Sequence, residues 1–169
     1  AASQTTDFVQ TDGIRYPIHL ANIGRITFMN GNIPLDKYQE TDYLSTFALS
    51  YATDLNIRVF LANSITNYLH PLAPGLTADE LNKKGNYQFS FFVDGNFIYS
   101  ENLHPGAGLQ KNTTTTFRVP LTTTKGEDWW GIYLWNRFMM KGGEKALTEG
   151  NHKLRMEIRP YISLDTIVT

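Results

Sequence analysis

Four histidines, His19, His70, His104 and His152, are spread through a chain of 169 residues that has no cysteine. Without cysteine there is no disulfide, no thiolate nucleophile and no Cys-ligated zinc. His70 and His104 occupy the same Leu-His-Pro step, in NYLHPLAPGL (67–76) and ENLHPGAGL (101–109). If those loops met, the two imidazoles with Glu101 would make a set that zinc accepts. A loop histidine is more often a hydrogen-bonded packing residue, which is the reading preferred. The shared step reads as one turn vocabulary used twice rather than as an internal repeat.

Patterns for nucleophilic and hydrolytic catalysis fail in turn. The chain has no G-x-S-x-G elbow, no S-x-x-K and no H-E-x-x-H, and GAGLQK (106–111) lacks the third glycine and the Lys-Ser/Thr of a phosphate loop. Glu127 and Asp128 stand beside two tryptophans, as in sugar-cleaving sites. Adjacent side chains point apart, however, whereas two catalytic carboxyls must face one substrate at roughly 5–9 Å. Asp128 is better placed as a helix cap. Asp36, Glu40 and Asp42 match no calcium-loop spacing and read as solvated surface. No catalytic residue, metal ligand or cofactor is assigned, and the expectation is a protein that is not an enzyme.

Aromatic surface remains. GEDWWGIYLWNRFMMKGG (126–143) holds all three tryptophans, and Trp129, Trp130, Tyr133 and Trp135 are the residues suited to stacking on a sugar ring. Each offers a flat apolar face with a polar edge. The same residues are suited to a core, which is the commoner use. Trp130 and Leu134 are expected to seal one end of the fold, while Trp129, Tyr133 or Trp135 looks outward, according to the phase of the helix.

The elements that must position these residues are mostly strands. Apolar residues alternate with polar ones at Ile14, Tyr16, Ile18 and Leu20, at Leu55, Ile57, Val59 and Leu61, at Phe117, Val119 and Leu121, and at Leu154, Met156 and Ile158. That period of two predicts half-buried strands, the first an edge strand because of Pro17. In the last, Lys153, Arg155, Glu157 and Arg159 face outward. Asp94-Gly95 and Asn30-Gly31 each sit between β-rich runs and predict two hairpins through type I′ turns. With TFALSY (46–51) the count reaches about eight strands, an antiparallel β-sandwich resembling a jelly roll. Two short helices are expected. One is LTADELNKKG, with Thr77 as N-cap, Glu80 completing a capping box and Gly85 as the stop. The other is the aromatic segment, capped by Asp128, ended by Gly142-Gly143 and carrying Trp130, Leu134 and Phe138 on one stripe.

Length predicts one domain over 1–169, with 1–11 loosely ordered. Fifteen Lys plus Arg against sixteen Asp plus Glu leave a net charge of −1, which gives no footprint for nucleic acid or an anionic membrane. No apolar run approaches the ~18 residues of a spanning helix, so membrane insertion is not expected. The start AASQTT fits the mature side of a signal-peptidase cut or an arbitrary beginning. With the composition it points to a secreted or periplasmic protein.

SITNYLHPLAPGLTADELNKKGNYQFSFFVDGNFIYSENLHPGAG, GEDWWGIYLWNRFM with GGEKALTEG, and HKLRMEIRPYI together resemble the segment that precedes the catalytic domain in some exported Bacteroidetes serine hydrolases of the beta-lactamase-related class. The likeness runs from about residue 12 to 162. It implies a non-catalytic accessory domain whose enzyme lies C-terminal of Thr169; the S-x-x-K of that class has no counterpart, so no catalytic residue carries over. LTEGNHKLRMEI is also similar to the entry of a late strand in carbohydrate-binding jelly rolls. Three readings follow: a module taking a glycan on its aromatic surface, a domain docking on a C-terminal serine hydrolase or a second copy, and a stand-alone enzyme with a His or carboxylate site.

Overall fold

The computed structural model describes residues 14, 16–49, 53–104, 106, 110–122 and 129–163, without the side chains of Trp129 and Trp130. The segment 1–11, Ser50 and Tyr51 of TFALSY, and Glu127 and Asp128 lie outside the described residues. Among those described, six strands form two antiparallel three-stranded sheets. They are β1 (Arg25–Asn30), β2 (Leu55–Phe60), β3 (Asn86–Val93), β4 (Asn96–Leu103), β5 (Thr116–Pro120) and β6 (Leu154–Tyr161). One sheet runs β1-β2-β5, the other β4-β3-β6. Short helices complete this β-rich fold: α1 (Pro17–Ala21), α2 (Ile65–Leu69), α3 (Ala78–Lys84), α4 (Trp129–Phe138) and α5 (Glu144–Ala146).

The strongest local signals form as expected. Asp94 and Gly95 turn β3 into β4 with φ of 51° and 82°, both in the region a type I′ turn demands. Thr77 caps α3 through the Glu80 amide, and the Glu80 carboxylate accepts from the Thr77 backbone N–H at 2.9 Å. Those bonds hold the Glu80 carboxyl below its ordinary range. Gly85 follows α3 in extended backbone; its place is a matter of space, because a Cβ there would meet Leu69 Cδ1 at 2.4 Å.

Other expectations are corrected. Residues 16–20 of the first alternating run form no strand: residues 17–21 are helix α1, with Pro17 at the first turn, where its missing N–H is no loss. His19 on that helix is buried, its Nε2 2.8 Å from the Leu61 carbonyl. Asn30-Gly31 makes no hairpin. β1 pairs with β2 after the excursion 31–54, and the Gly31 amide donates to the Asp54 carbonyl at 2.7 Å. The reason is Pro34, which cannot donate to a ladder, so no second strand follows the turn. Residues 46–49 of TFALSY form no strand either.

β2 is the sharpest correction, since all six of its residues are buried where an open polar face was expected. Leu55, Ile57 and Val59 enter the main core, which draws on both sheets and on Leu134, Trp135 and Phe138 of α4. Phe60 enters a second cluster with Met29 and Tyr38, packed by Ile18, Ile33, Leu35 and Tyr43. The excursion that replaces the hairpin therefore roofs the far side of this sheet.

Candidate functional site

Helix α4 resolves half of the aromatic question. Its buried face is Gly131, Leu134, Trp135 and Phe138, spaced i, i+3, i+4 and i+7. Trp135 is 5% exposed, and its indole meets Phe91 at 6.3 Å and Phe138 at 5.2 Å, while Phe91 and Phe138 stack at 4.3 Å. Its expected role as a ligand platform is corrected: the ring faces the interior. The phase is set by Gly131, where a Cβ would stand 2.1 Å from the Pro120 carbonyl oxygen, so this face of the helix lies directly on the end of β5. Leu134 seals the core as expected. The side chains of Trp129 and Trp130, at the first turn, lie outside the described residues.

Tyr133 looks outward at 37% exposure, yet one face of its ring is taken by Arg137, four residues on, whose guanidinium carbon is 5.3 Å from the ring centroid. Arg137 Nε also donates to the Tyr99 hydroxyl at 3.2 Å and lies 3.3 Å from Glu101 Oε2, and Tyr99 donates to Glu101. Burial, then the Glu101 contact, pushes the Tyr99 hydroxyl up; Tyr99 and Glu101 together raise Arg137. The cluster latches α4 to β4 and occupies Glu101, the third member of the zinc set that the sequence leaves as the less preferred reading. His104 is likewise occupied: Nε2 bonds the Asn82 carbonyl at 2.7 Å and Nδ1 accepts from the Gly106 amide at 2.9 Å, so both ring nitrogens are engaged in packing. His70 lies in a 3-10 turn following α2 whereas His104 follows a strand, so the two histidines stand on different backbones. Among the described residues no group of three His, Asp or Glu can hold a metal ion. Asp42 accepts the Gln39 amide at 2.8 Å in a capping box.

A different surface is open. β3 alternates along its length, with Tyr87, Phe89, Phe91 and Val93 buried and Gln88, Ser90 and Phe92 half-buried on the opposite face. Register lines up three cross-strand rows there: Asn102–Gln88–Arg159, Ser100–Ser90–Glu157 and Phe97–Phe92–Arg155. A β-bulge makes the third row. Tyr99 pairs with Phe91 and Phe97 with Phe92, so Ile98 is the extra residue. Ile98 packs on the main core, and Phe97 stays on the open face, 60% exposed and edge-on to Phe92 at 5.7 Å. The rows enclose a groove of about 300 Å³ lined by Gln88, Ser90, Phe92, Phe97, Ser100, Glu157, Ile158 and Arg159. Two serines give it a low hydroxyl floor, Phe97 an aromatic wall and Gln88 with Arg159 a polar end.

Its charges are arranged unequally. Arg155 bonds Glu157 at 2.9 Å and lies 4.1 Å over the Phe92 ring, so this cation and this anion answer each other. Arg159 Nε donates to Gln88 Oε1 at 2.6 Å. The alternation Arg155, Glu157, Arg159 was legible as an outward face, but its assembly with Ser90, Ser100 and Phe97 needs the strand register and the bulge. No protein-family model, curated protein or solved structure matches the chain.

Proposed function

We propose that this chain is a non-catalytic binding module of β-sandwich type, secreted or periplasmic, that takes carbohydrate on the open face of β3, β4 and β6. The groove carries the reading. At about 300 Å³ it stands at the lower end of small-molecule sites, which run from ~300 to 1,000 Å³, and suits one or two sugar rings. Phe97 supplies a flat apolar plate for the axial C–H face of a pyranose, while Ser90, Ser100 and Gln88 supply donors and acceptors for its hydroxyls. Glu157 is the one carboxylate among the lining residues and is engaged by Arg155, so no pair of acids flanks a glycosidic bond there. The sandwich is supported by a main core that takes residues from both sheets. An accessory role beside a C-terminal serine hydrolase is supported by the sequence resemblance.

Met140 favours a second reading, docking on that C-terminal domain or on a second copy. It is 81% exposed, in the π-helical turn Met139–Gly143 that lies against β4, and adds apolar surface there. Calorimetric titration with a panel of oligosaccharides tests the first reading: one class binds saturably, and Phe97→Ala weakens it about tenfold, the loss of ~1.4 kcal/mol of stacking. No binding by any member, with self-association abolished by Met140→Asp, transfers the face to the second.

A further inference from the structure

We infer that the saccharide taken by the open face is an acidic one, whose carboxylate is read by Arg159. This rests on the carbohydrate reading and names the class of sugar. Arg159 is held from one side only: its Nε–H is given to Gln88, its direct cross-strand partner, at 2.6 Å. Its two terminal amino groups have no partner among the described residues. A guanidinium pinned at Nε and open at both ends presents a planar pair of parallel N–H donors, the geometry that a carboxylate accepts in bidentate fashion. Gln88 acts as a positioning residue, fixing the plane of that fork across the groove.

The neighbouring charges decide the sign. Glu157, two residues earlier on β6, is the nearest anion of the groove, and Arg155 cancels it at 2.9 Å. Arg155 is committed a second time through Phe92. Of the three charges that β6 shows on this face, the one left without a counter-charge is therefore Arg159. A neutral sugar would satisfy its donors and leave its charge uncompensated, whereas a uronic acid satisfies both. The aromatic wall and the cation stand at opposite ends of the rows, so one ring of such an oligomer stacks at Phe97 and the acid group of a neighbouring unit, across the serines, meets Arg159.

Arg159 is exposed, so the preference is moderate and sensitive to salt. The test is calorimetric titration of the full chain with three oligomers of equal length: a galacturonide, the neutral galactan and a sulfated galactan. The expected result is that the galacturonide binds about tenfold more tightly than the neutral oligomer at low salt, with the advantage shrinking as salt rises. Arg159→Gln brings the ratio close to one, and Arg159→Lys, which keeps the charge and loses the fork, retains a minor part of it; circular dichroism confirms that both variants fold. Equal binding of acidic and neutral oligomers, or an acidic preference that survives Arg159→Gln, overturns the inference and leaves the carbohydrate reading standing. Tighter binding of the sulfated oligomer overturns the carboxylate. Failure of all three to bind removes the inference together with the reading beneath it.

Discussion

The two sheets have three strands each and the same antiparallel plan, and they differ in what lies on their far sides. In β1-β2-β5 the central strand is buried at every residue, because the segment 31–44 and α1 pack a second apolar cluster against it. Its polar groups are spent internally. Arg118 donates to Asn56 at 2.7 Å, Thr116 to the Val59 carbonyl at 2.7 Å, and Thr27 meets the Tyr38 hydroxyl at 3.1 Å. Arg58, 9% exposed, reaches among the described residues only the Thr116 hydroxyl, at 3.4 Å, and its burial lowers the guanidinium from its ordinary value. In β4-β3-β6 nothing among the described residues roofs the corresponding face, and the central strand keeps its strict alternation. Arg, Ser, Gln and Phe side chains there lie on the unroofed face. A roof converts polar side chains into structure; where none is described they stay at the surface.

That contrast has graded consequences. Phe60→Ala, on the roofed sheet and fully buried, is expected to cost about 3–5 kcal/mol in denaturant unfolding, whereas Phe97→Ala on the open sheet costs under about 1 kcal/mol. Equal losses would erase the distinction. Gly131→Ala forces a methyl against the Pro120 carbonyl and should cost about 1–3 kcal/mol, with α4 displaced from β5 and Trp135 fluorescence shifted. Arg58→Met removes a desolvated cation that has no carboxylate beside it among the described residues, so stability should change by less than about 1 kcal/mol or rise. A loss of several kcal/mol would mean that Arg58 does essential bonding.

The smallest effect is one of pH, at the turn that ends the open face. His152 Nδ1 lies 2.7 Å from Asp94 Oδ2 and its Nε2 lies 3.0 Å from the Thr148 carbonyl, so both nitrogens face acceptors and the imidazolium satisfies both. Asp94 raises His152; His152, with the Lys153 amide, lowers Asp94. A raised histidine contributes stability that is whole below its ordinary value of 6.5 and fades as pH climbs through the folded value. Asp94 contributes above its ordinary 3.8 and fades as pH falls through its lowered value. Melting temperature should therefore decline above about pH 6.5 more in the wild type than in His152→Gln. Parallel curves would show the contact to be idle.

Legibility in the sequence followed the range of the interactions. The Asp94-Gly95 turn, the Thr77–Glu80 capping box and the inward Leu154, Met156 and Ile158 depend on neighbours within a few residues, and each stands where its pattern placed it. Pro17 was visible, but its alternating surroundings favoured a strand until the first turn of α1 could use it. The roof over β2 was hidden because it is built by residues 18–43, far from the strand they cover. The groove was half hidden. Its β6 charges alternate in plain view, whereas Phe97 reaches the face through a bulge at Ile98 that no local residue type announces. Among the aromatic residues of α4, Trp135 was misplaced for the opposite reason: helix phase is decided by a glycine contact with another element.

The most direct measurement is to map backbone amide shifts of the labelled chain during titration with a binding oligosaccharide. The open-face assignment predicts changes concentrated at Gln88, Ser90, Phe97, Ser100 and Arg159, with β2 and its roof silent. Changes concentrated instead at Trp129, Trp130 and Tyr133, with Ser90 and Ser100 unmoved, would contradict it.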